Sequence, residues 1–90
     1  MSDKPTPGVL MSELPSQALA RLGEQIFGSD WAAPMSRMTG VNARTLLRIK
    51  TAAADGRDYR GALEVISRLR DGLSEAAGHA DGALVRHRNR

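Results

Sequence analysis

The sequence predicts an all-α protein, a bundle of four to five helices. Apolar residues recur at three- and four-residue spacing along most of the chain, and no useful length alternates apolar with polar residues. Hydrophobic residues make up 41% of the chain, yet it holds only one Trp, one Tyr and one Phe. The core must therefore come from Leu, Ile, Val, Met and Ala, a mixture that favours helices over strands.

The composition divides the chain into three parts. Residues 1–12 contain two prolines and a glycine and are expected to form a flexible N-terminal arm. Residues 13–78 carry the helical periodicity and form the folded domain. Residues 79–90 lose this periodicity and are predicted to be a frayed basic tail, with a last helical turn through Leu84 and Val85 as the alternative. The tail ends in RHRNR, which suits either an arm that reaches the minor groove or phosphates, or a solubilising tail.

The first helix is expected at SQALARLGEQIFG, with Ser12 or Ser16 as its N-cap. Gly23 costs such a helix up to about 1 kcal/mol relative to alanine, and Gly28 is a natural end. Its apolar face consists of residues at helical spacing: Leu19, Leu22, Ile26 and Phe27.

A short second helix is expected to end near Thr39. Ser29 or Asp30 can cap it, and Pro34 is acceptable in its first turn, where the missing N–H is no loss. Gly40 then supplies the positive φ of a turn.

Two further helices follow. Asn42 is a good N-cap for a third helix, ARTLLRIKTAA. After the loop ADGRD, Asp58 can cap a fourth helix, YRGALEVISRLRDGLSEAA. The predicted apolar stripe of this fourth helix is Leu63, Ile66, Leu69, Leu73 and Ala76.

The second and third helices have the spacing of a helix-turn-helix. Val41 follows the turn glycine, and Leu46 and Ile49 share one face of the third helix. Met35 and Ser36 are expected to face inward from the second helix. With Leu46 and Ile49 buried, the opposite face of the third helix presents Ala43, Arg44, Leu47, Arg48 and Thr51.

This outward face has the chemistry of a DNA reader. An α-helix fits the major groove, and arginine can donate two hydrogen bonds to guanine, so Arg44 and Arg48 are predicted base contacts. Leu47 or Ala43 can touch a thymine methyl group, and Asn42 is placed for a phosphate or a base edge. The predicted phosphate contacts are Arg37, Thr45, Lys50 and Thr51.

The distribution of charge supports a phosphate-binding surface. The formal net charge is only +3. The segment from residue 31 to residue 54, however, carries Arg37, Arg44, Arg48 and Lys50 and no acidic residue. Such a locally basic face suits phosphate binding, although two arginines one turn apart also occur on ordinary solvated helix faces.

The segment DWAAPMSRMTGVNARTLLRIKTA resembles the helix-turn-helix of Cro/repressor-type DNA-binding proteins, small bacterial or phage transcriptional regulators. The resemblance covers about residues 19–50. The matching residues are Phe27, Gly28, Trp31, Arg37, Gly40, Val41, Arg44, Thr45, Leu46, Arg48 and Ile49. It implies a lambda-repressor-like fold with Trp31 in the core, and binding to double-stranded DNA as a regulator, with repression the expected effect. It also implies a two-fold homodimer that reads half-sites roughly 34 Å apart, which we expect to form through the fourth helix or the C-terminal segment.

Two positions depart from that family's pattern and define an alternative. Ser36 stands where the pattern has a small apolar residue, and Thr39 stands where it has leucine. Both are expected to loosen the packing between the two helices. The alternative is a helical protein-interaction module, such as a phage-type inhibitor, an adaptor or an antitoxin-like protein, that uses this scaffold without reading DNA.

Other classes of function find little support in the sequence. The chain has no cysteine, and His79 and His87 lack the further ligands at fixed spacing that a metal site needs. We expect neither enzymatic activity nor a cofactor or small-molecule substrate, because the predicted domain, residues 13–78, contains no cysteine, no histidine and no close carboxylate pair in a plausible pocket. No apolar run approaches the roughly 20 residues of a membrane span, and no secretory signal is evident. A cytoplasmic location is expected.

Overall fold

The computed structural model describes residues 13–88, which form four helices and no strand, so the all-α prediction is confirmed. The helices are α1 (Pro15–Phe27), α2 (Ala32–Thr39), α3 (Ala43–Ala54) and α4 (Ala62–Arg88). Helix α1 packs on α3 and α4, and α2 packs on the same two helices. The predicted N-terminal arm, residues 1–12, lies outside the described residues, as do residues 89–90.

Helix α1 begins differently from the prediction. Pro15 occupies its first position, where a missing N–H is no loss, and the Leu14 N–H donates to Gln17 Oε1 at 3.0 Å. Ser16, one of the two predicted caps, lies inside the first turn and is fully buried. Its hydroxyl donates to the carbonyl of Arg57 at 2.6 Å, so it holds the α3–α4 loop against α1 instead. Ser12, the other predicted cap, lies outside the described residues.

Asp58 does not cap the fourth helix, contrary to the prediction, because α4 begins only at Ala62. The Asp58 carboxylate accepts hydrogen bonds from the N–H groups of Tyr59, at 2.8 Å, and Ser16, at 3.3 Å. The second bond satisfies a backbone donor in the first turn of α1. Asp58 therefore acts as a cap for a helix more than 40 residues away in the chain.

Helix α2 also lacks its predicted cap. Trp31 holds the N-cap position and makes no capping hydrogen bond with its side chain, so neither Ser29 nor Asp30 caps the helix. Pro34 is the third residue of α2 and lies in its first turn, as predicted. At the other end α2 stops at Thr39, and Gly40 has a φ of 76°, so the predicted turn is confirmed.

Trp31 lies at the centre of the core, where the ring is fully buried. A Cβ atom on Gly23 would lie 2.5 Å from Trp31 Cδ2, so only glycine lets the ring lie this close to α1. The core cluster comprises eight buried residues from all four helices and the residue before α2: Leu19, Trp31, Ala32, Met35, Leu46, Ile49, Val65 and Leu69. The predicted packing role of Trp31 is confirmed, and the glycine that costs α1 helix propensity provides the space for it.

The buried face of α4 differs in phase from the predicted stripe. Its buried residues are Ala62, Val65 and Leu69. Leu63 is 67% exposed, so its assignment to the core stripe is wrong, and Ala76 is also exposed. Ala62, Val65 and Leu69 follow one another at helical spacing, so they share the side of α4 that packs on α1 and α2. Leu63 lies on another side of the helix and stays exposed.

Helix α4 continues well beyond the predicted end. It runs unbroken through Gly78 and Gly82 to Arg88, so the prediction of a frayed tail is wrong for residues 79–88. Glycine lowers helix propensity by about 1 kcal/mol but does not forbid helical φ and ψ angles. We call residues 74–88 the distal segment. Its residues are exposed except for Gly82 and Ala83, which are half-buried, and none of them joins the core cluster.

Candidate nucleic-acid interface

The turn between α2 and α3 is held by backbone geometry and by one side chain. The Gly40 N–H donates to the carbonyl of Ser36 at 2.9 Å, which closes the end of α2. Val41 follows and packs, half-buried, against the core cluster. A residue with a positive φ at position 40 lets the chain reverse and start α3 within three residues.

Thr39 fits this turn, against the expectation that it loosens the packing. It is only 8% exposed. Its hydroxyl donates to the carbonyl of Met35 at 2.8 Å and accepts from the N–H of Val41 at 3.2 Å. A leucine could not make the second bond, so threonine satisfies a backbone donor of the turn that an apolar residue would leave without this acceptor. Ser36, the other departure from the pattern, is half-buried.

Asn42 begins α3 as predicted. Its side-chain oxygen accepts from the backbone N–H of Arg44 at 2.8 Å, which is the N-cap hydrogen bond. The Asn42 side chain is exposed, and its amide NH₂ group can still donate to a phosphate or base. Ala43, a predicted base contact, is half-buried.

The two faces of α3 separate as the spacing predicted. Leu46 and Ile49 are fully buried, and Ala52 is nearly so. On the opposite face, Leu47 is 51% exposed, and three polar side chains beside it are exposed as well: Arg44, Arg48 and Thr51. The buried residues thus fix the orientation of α3 on the core, and this orientation presents both arginines to solvent.

Among the described residues, the two arginines of this face, Arg44 and Arg48, lack an acidic partner, as do some other arginines of the protein. Within residues 13–88, no carboxylate lies within ion-pairing distance of Arg44 or Arg48. Of the eight other arginines in these residues, four have acidic partners and four do not: Arg21 pairs with Glu13, Arg57 with Asp55, Arg68 with Glu64, and Arg70 with Asp71, whereas Arg37, Arg60, Arg86 and Arg88 have no carboxylate within that distance. The hydrogen bond to Glu13 even raises the pKa of Arg21 above its ordinary value. Positive charge on α3 is therefore left uncompensated.

An open groove of about 410 Å³ lies along this face. Its lining combines the exposed face of α3 with two residues of the α3–α4 loop: Arg44, Leu47, Arg48, Thr51, Arg57 and Tyr59. Arg57 and Tyr59 were not among the predicted site residues. They extend the candidate interface beyond the helix and add a third guanidinium to it, that of Arg57, which is exposed and paired with Asp55.

Gly56 ends α3 and directs the α3–α4 loop back along that helix. Gly56 has a φ of 70°. Its N–H donates to the carbonyl of Ala53 at 3.1 Å, and the Arg57 N–H donates to the carbonyl of Ala52 at 2.8 Å. This pair of bonds is the Schellman motif that ends many helices. Gly56 could have been recognised as its glycine, whereas the bonds from Ser16 that complete the loop join distant parts of the chain.

Three of the predicted phosphate contacts, Arg37, Thr45 and Lys50, lie beside the exposed face of α3 and not on it. Lys50 is half-buried on the side of α3 that faces α1; its Nζ donates to the carbonyl of Ser29 at 2.9 Å and lies 5.9 Å from the centre of the Trp31 ring. Thr45 is half-buried on the other flank. Arg37 is exposed on α2 and lines a separate groove between α2 and α4.

Comparisons of the chain with protein-family models, with curated proteins and with solved structures give no match. Among the described residues, no helix combines the length and the apolar character needed to cross a membrane. The same residues contain no cluster of three or more side chains arranged to hold a metal ion. What the α3 face binds is therefore inferred from its own chemistry.

Proposed function

We propose that the protein is a small transcriptional regulator that binds double-stranded DNA in a sequence-specific manner and represses by occupying its site. In this proposal α2, the turn at Gly40 and α3 form a helix-turn-helix of the lambda-repressor-like kind. Helix α3 enters the major groove with its N-terminal part nearest the bases.

The observation that carries the proposal is the outward face of α3. Arg44 and Arg48 lie one helical turn apart, are exposed, and have no carboxylate within ion-pairing distance among the described residues. Phosphates and guanine edges supply the acceptors that such guanidinium groups lack. The buried Leu46 and Ile49 hold the helix in this orientation before any ligand arrives, so binding requires little reorganisation.

Each side chain of the face suits a particular contact. Arg44 and Arg48 can each donate two hydrogen bonds to a guanine, and the exposed methyl groups of Leu47 suit a thymine methyl group. Asn42 suits a phosphate or base at the start of the helix. Arg57, which lies on the loop at the edge of the groove, suits the sugar–phosphate backbone beside the major groove.

A single module of this size reads only a few base pairs, so we propose that it acts as a two-fold homodimer. Two α3 helices related by two-fold symmetry would read the halves of a palindrome whose centres lie about one helical turn, roughly 34 Å, apart. The described residues leave the distal segment of α4 exposed and available for pairing.

The proposal is tested by selecting bound sequences from random duplex DNA and then measuring affinity by fluorescence anisotropy at several salt concentrations. Replacing Arg44 or Arg48 by alanine is expected to weaken binding by about 1–3 kcal/mol each and to relax the preference at one base position. Arg57→Ala is expected to weaken binding to all sequences alike and to reduce the salt dependence.

Arg68→Ala is the matched control, because Arg68 is an exposed arginine on α4, outside the α3 groove. It should leave the affinity unchanged. The proposal fails if the Arg44→Ala/Arg48→Ala double variant, shown to be folded, binds the selected DNA as the parent does. It also fails if no duplex is retained in a salt-dependent manner.

The alternative, a module that binds another protein through this scaffold, rested on loose packing at Ser36 and Thr39. Thr39 is buried and makes two hydrogen bonds in the turn, so it no longer supports this alternative, whereas Ser36 is half-buried and still departs from the pattern. The experiment above still separates the two functions, because a protein-binding module would show no salt-dependent retention of DNA.

A further inference from the structure

Ser16 is a buried polar residue that lies outside the α3 groove but is bonded to the loop that forms part of it. Its side chain is fully buried in the first turn of α1, and no residue of α1 lines the groove. The Ser16 hydroxyl donates to the carbonyl of Arg57 at 2.6 Å, and the Ser16 N–H donates to Asp58 Oδ1 at 3.3 Å. Both bonds span more than 40 positions of the chain and join α1 to the α3–α4 loop.

The backbone of Arg57 is held from two sides. Its N–H donates to the carbonyl of Ala52 on α3 at 2.8 Å, and its carbonyl accepts from Ser16 on α1. Ordering a loop residue costs conformational entropy. Here the two bonds order Arg57 during folding, so this cost does not fall on the binding of a ligand.

Asp58 fixes the neighbouring groove residue in a similar way. The same carboxylate oxygen that accepts from Ser16 also accepts from the N–H of Tyr59 at 2.8 Å. Tyr59 is half-buried, packs against the core cluster and lines the groove together with Arg57. The hydroxyl and the N–H of Ser16 therefore connect α1 to both loop residues of the groove wall, the first directly and the second through Asp58.

The side chain of Arg57, in contrast to its backbone, is held only weakly. Its Nη2 atom lies 3.0 Å from Asp55 Oδ2, but the two side chains are 64% and 54% exposed. Exposed ion pairs of this kind contribute little to stability and are screened by salt. A DNA phosphate can therefore replace Asp55 as the partner of the guanidinium, provided that the backbone of Arg57 stays at the edge of the groove.

We propose that Ser16 is a positioning residue for phosphate binding, because its two hydrogen bonds hold Arg57 and Tyr59 at the edge of the groove. The inference rests on the proposed function and deepens it: the determinants of DNA affinity extend to the start of α1, a helix that does not line the groove. Without these bonds the loop samples other conformations, and the entropy of ordering Arg57 opposes binding.

A double-mutant cycle measured by fluorescence anisotropy tests the coupling. Ser16→Ala should weaken binding to the selected duplex and to unrelated duplexes alike, by about two- to tenfold, the cost of immobilising one long side chain on binding. Base preference should stay unchanged. In the Arg57→Ala background the same change should have no further effect, because the contact that it supports is already gone. A merely structural serine would give the same loss in both backgrounds.

Asp58 offers a matched pair of variants that leaves Ser16 in place and so keeps the proposal testable if Ser16→Ala does not fold. Asp58→Ala and Asp58→Asn both remove one negative charge, but asparagine keeps a side-chain oxygen that accepts hydrogen bonds. Asp58→Ala should therefore bind DNA more weakly than Asp58→Asn, although the net charge of the two variants is equal. The difference should vanish when Arg57→Ala is added to both.

Amide hydrogen exchange without DNA tests the position of the loop itself. The Arg57 N–H should exchange about tenfold faster in Ser16→Ala than in the parent, the effect of losing about one hydrogen bond. The Leu46 N–H, within the core-packed α3, reports any change in global stability. Thr39→Val is the control, because it also removes a buried hydroxyl bonded to a backbone carbonyl but does not touch the loop. It should not accelerate the exchange of Arg57 beyond the change seen at Leu46.

The proposal is overturned if Ser16→Ala weakens binding equally in the parent and in Arg57→Ala, if the two Asp58 variants bind DNA alike, or if the Arg57 amide exchanges no faster in Ser16→Ala. Any of these results would leave the reading of bases by α3 to be judged on the variants of Arg44 and Arg48. A failure of the proposed function is a different result, the absence of salt-dependent DNA binding by the parent chain.

Discussion

The two halves of α4 belong to one continuous helix and yet differ in what surrounds them. In residues 62–73, Val65 and Leu69 are buried against α1 and α2, and the charged side chains face outward. In residues 74–88 no side chain reaches the core cluster, and the apolar positions are mostly alanines. The phase of the apolar stripe is the same in both halves. A leucine of α4 therefore stabilises the fold only where another helix packs over it, even though the apolar spacing is the same in both halves.

The largest expected effect compares two leucines of α4. Leu69→Ala should lower the free energy of unfolding by about 2–5 kcal/mol, because it empties a site that is 2% exposed. Leu84→Ala should change it by no more than about 0.5 kcal/mol in the monomer, since Leu84 is half in water. Urea denaturation, at concentrations low enough for a monomer, measures both. Equal losses in the two variants would contradict the difference between the halves.

A second comparison uses one substitution at two helical glycines. Gly23→Ala should destabilise the protein by a net amount of about 1–2 kcal/mol, because its methyl group would lie 2.5 Å from Trp31 and overpacking outweighs the gain in helix propensity. Gly82→Ala meets no atom within 4 Å and should increase the helical circular dichroism signal. The stabilisation of the distal segment should be at most about 1 kcal/mol. The prediction is wrong if both substitutions stabilise the protein or both destabilise it.

The smallest effect extends the comparison to α3 and its turn. Thr39 and Thr51 each donate to the carbonyl four residues earlier, at 2.8 and 3.1 Å, but Thr39 is buried and Thr51 exposed. Thr39→Val should cost about 1 kcal/mol, because it also removes the acceptor of the Val41 N–H. Thr51→Val should be near neutral in thermal unfolding, since water replaces the lost bond. A larger loss of stability for Thr51→Val than for Thr39→Val would show that burial does not determine how much these hydrogen bonds contribute.

Features set by neighbouring residues could be predicted from the sequence. Asn42 as the cap of α3, the positive φ of Gly40 and the burial of Leu46 and Ile49 all follow from local spacing, and all are present. The outward position of Arg44 and Arg48 follows in turn. The most informative part of the candidate site was therefore accessible without a structure.

Features that depend on distant contacts were missed. Local spacing places Asp58 at the start of the following helix, whereas its carboxylate caps α1. From the sequence, Gly23 is only a cost to the helix propensity of α1, because its closeness to Trp31 exists only once α1 and α2 have packed. The continuation of α4 past Gly78 was missed since glycine is a common helix end, and Arg57 and Tyr59 reach the groove through a loop held partly by Ser16.

The position of the one tryptophan has a spectroscopic consequence. Trp31 is buried among α1, α3 and α4, and α4 itself, from residue 62 to residue 88, contains no tryptophan, tyrosine or phenylalanine. Intrinsic fluorescence therefore senses only the packed domain, while the far-ultraviolet dichroism also sums the amides of residues 74–88. If those residues fray before the domain melts, the two signals will trace different curves on heating, and a single melting temperature will not describe the chain. Dilution should widen the gap between the curves and dimerisation should close it.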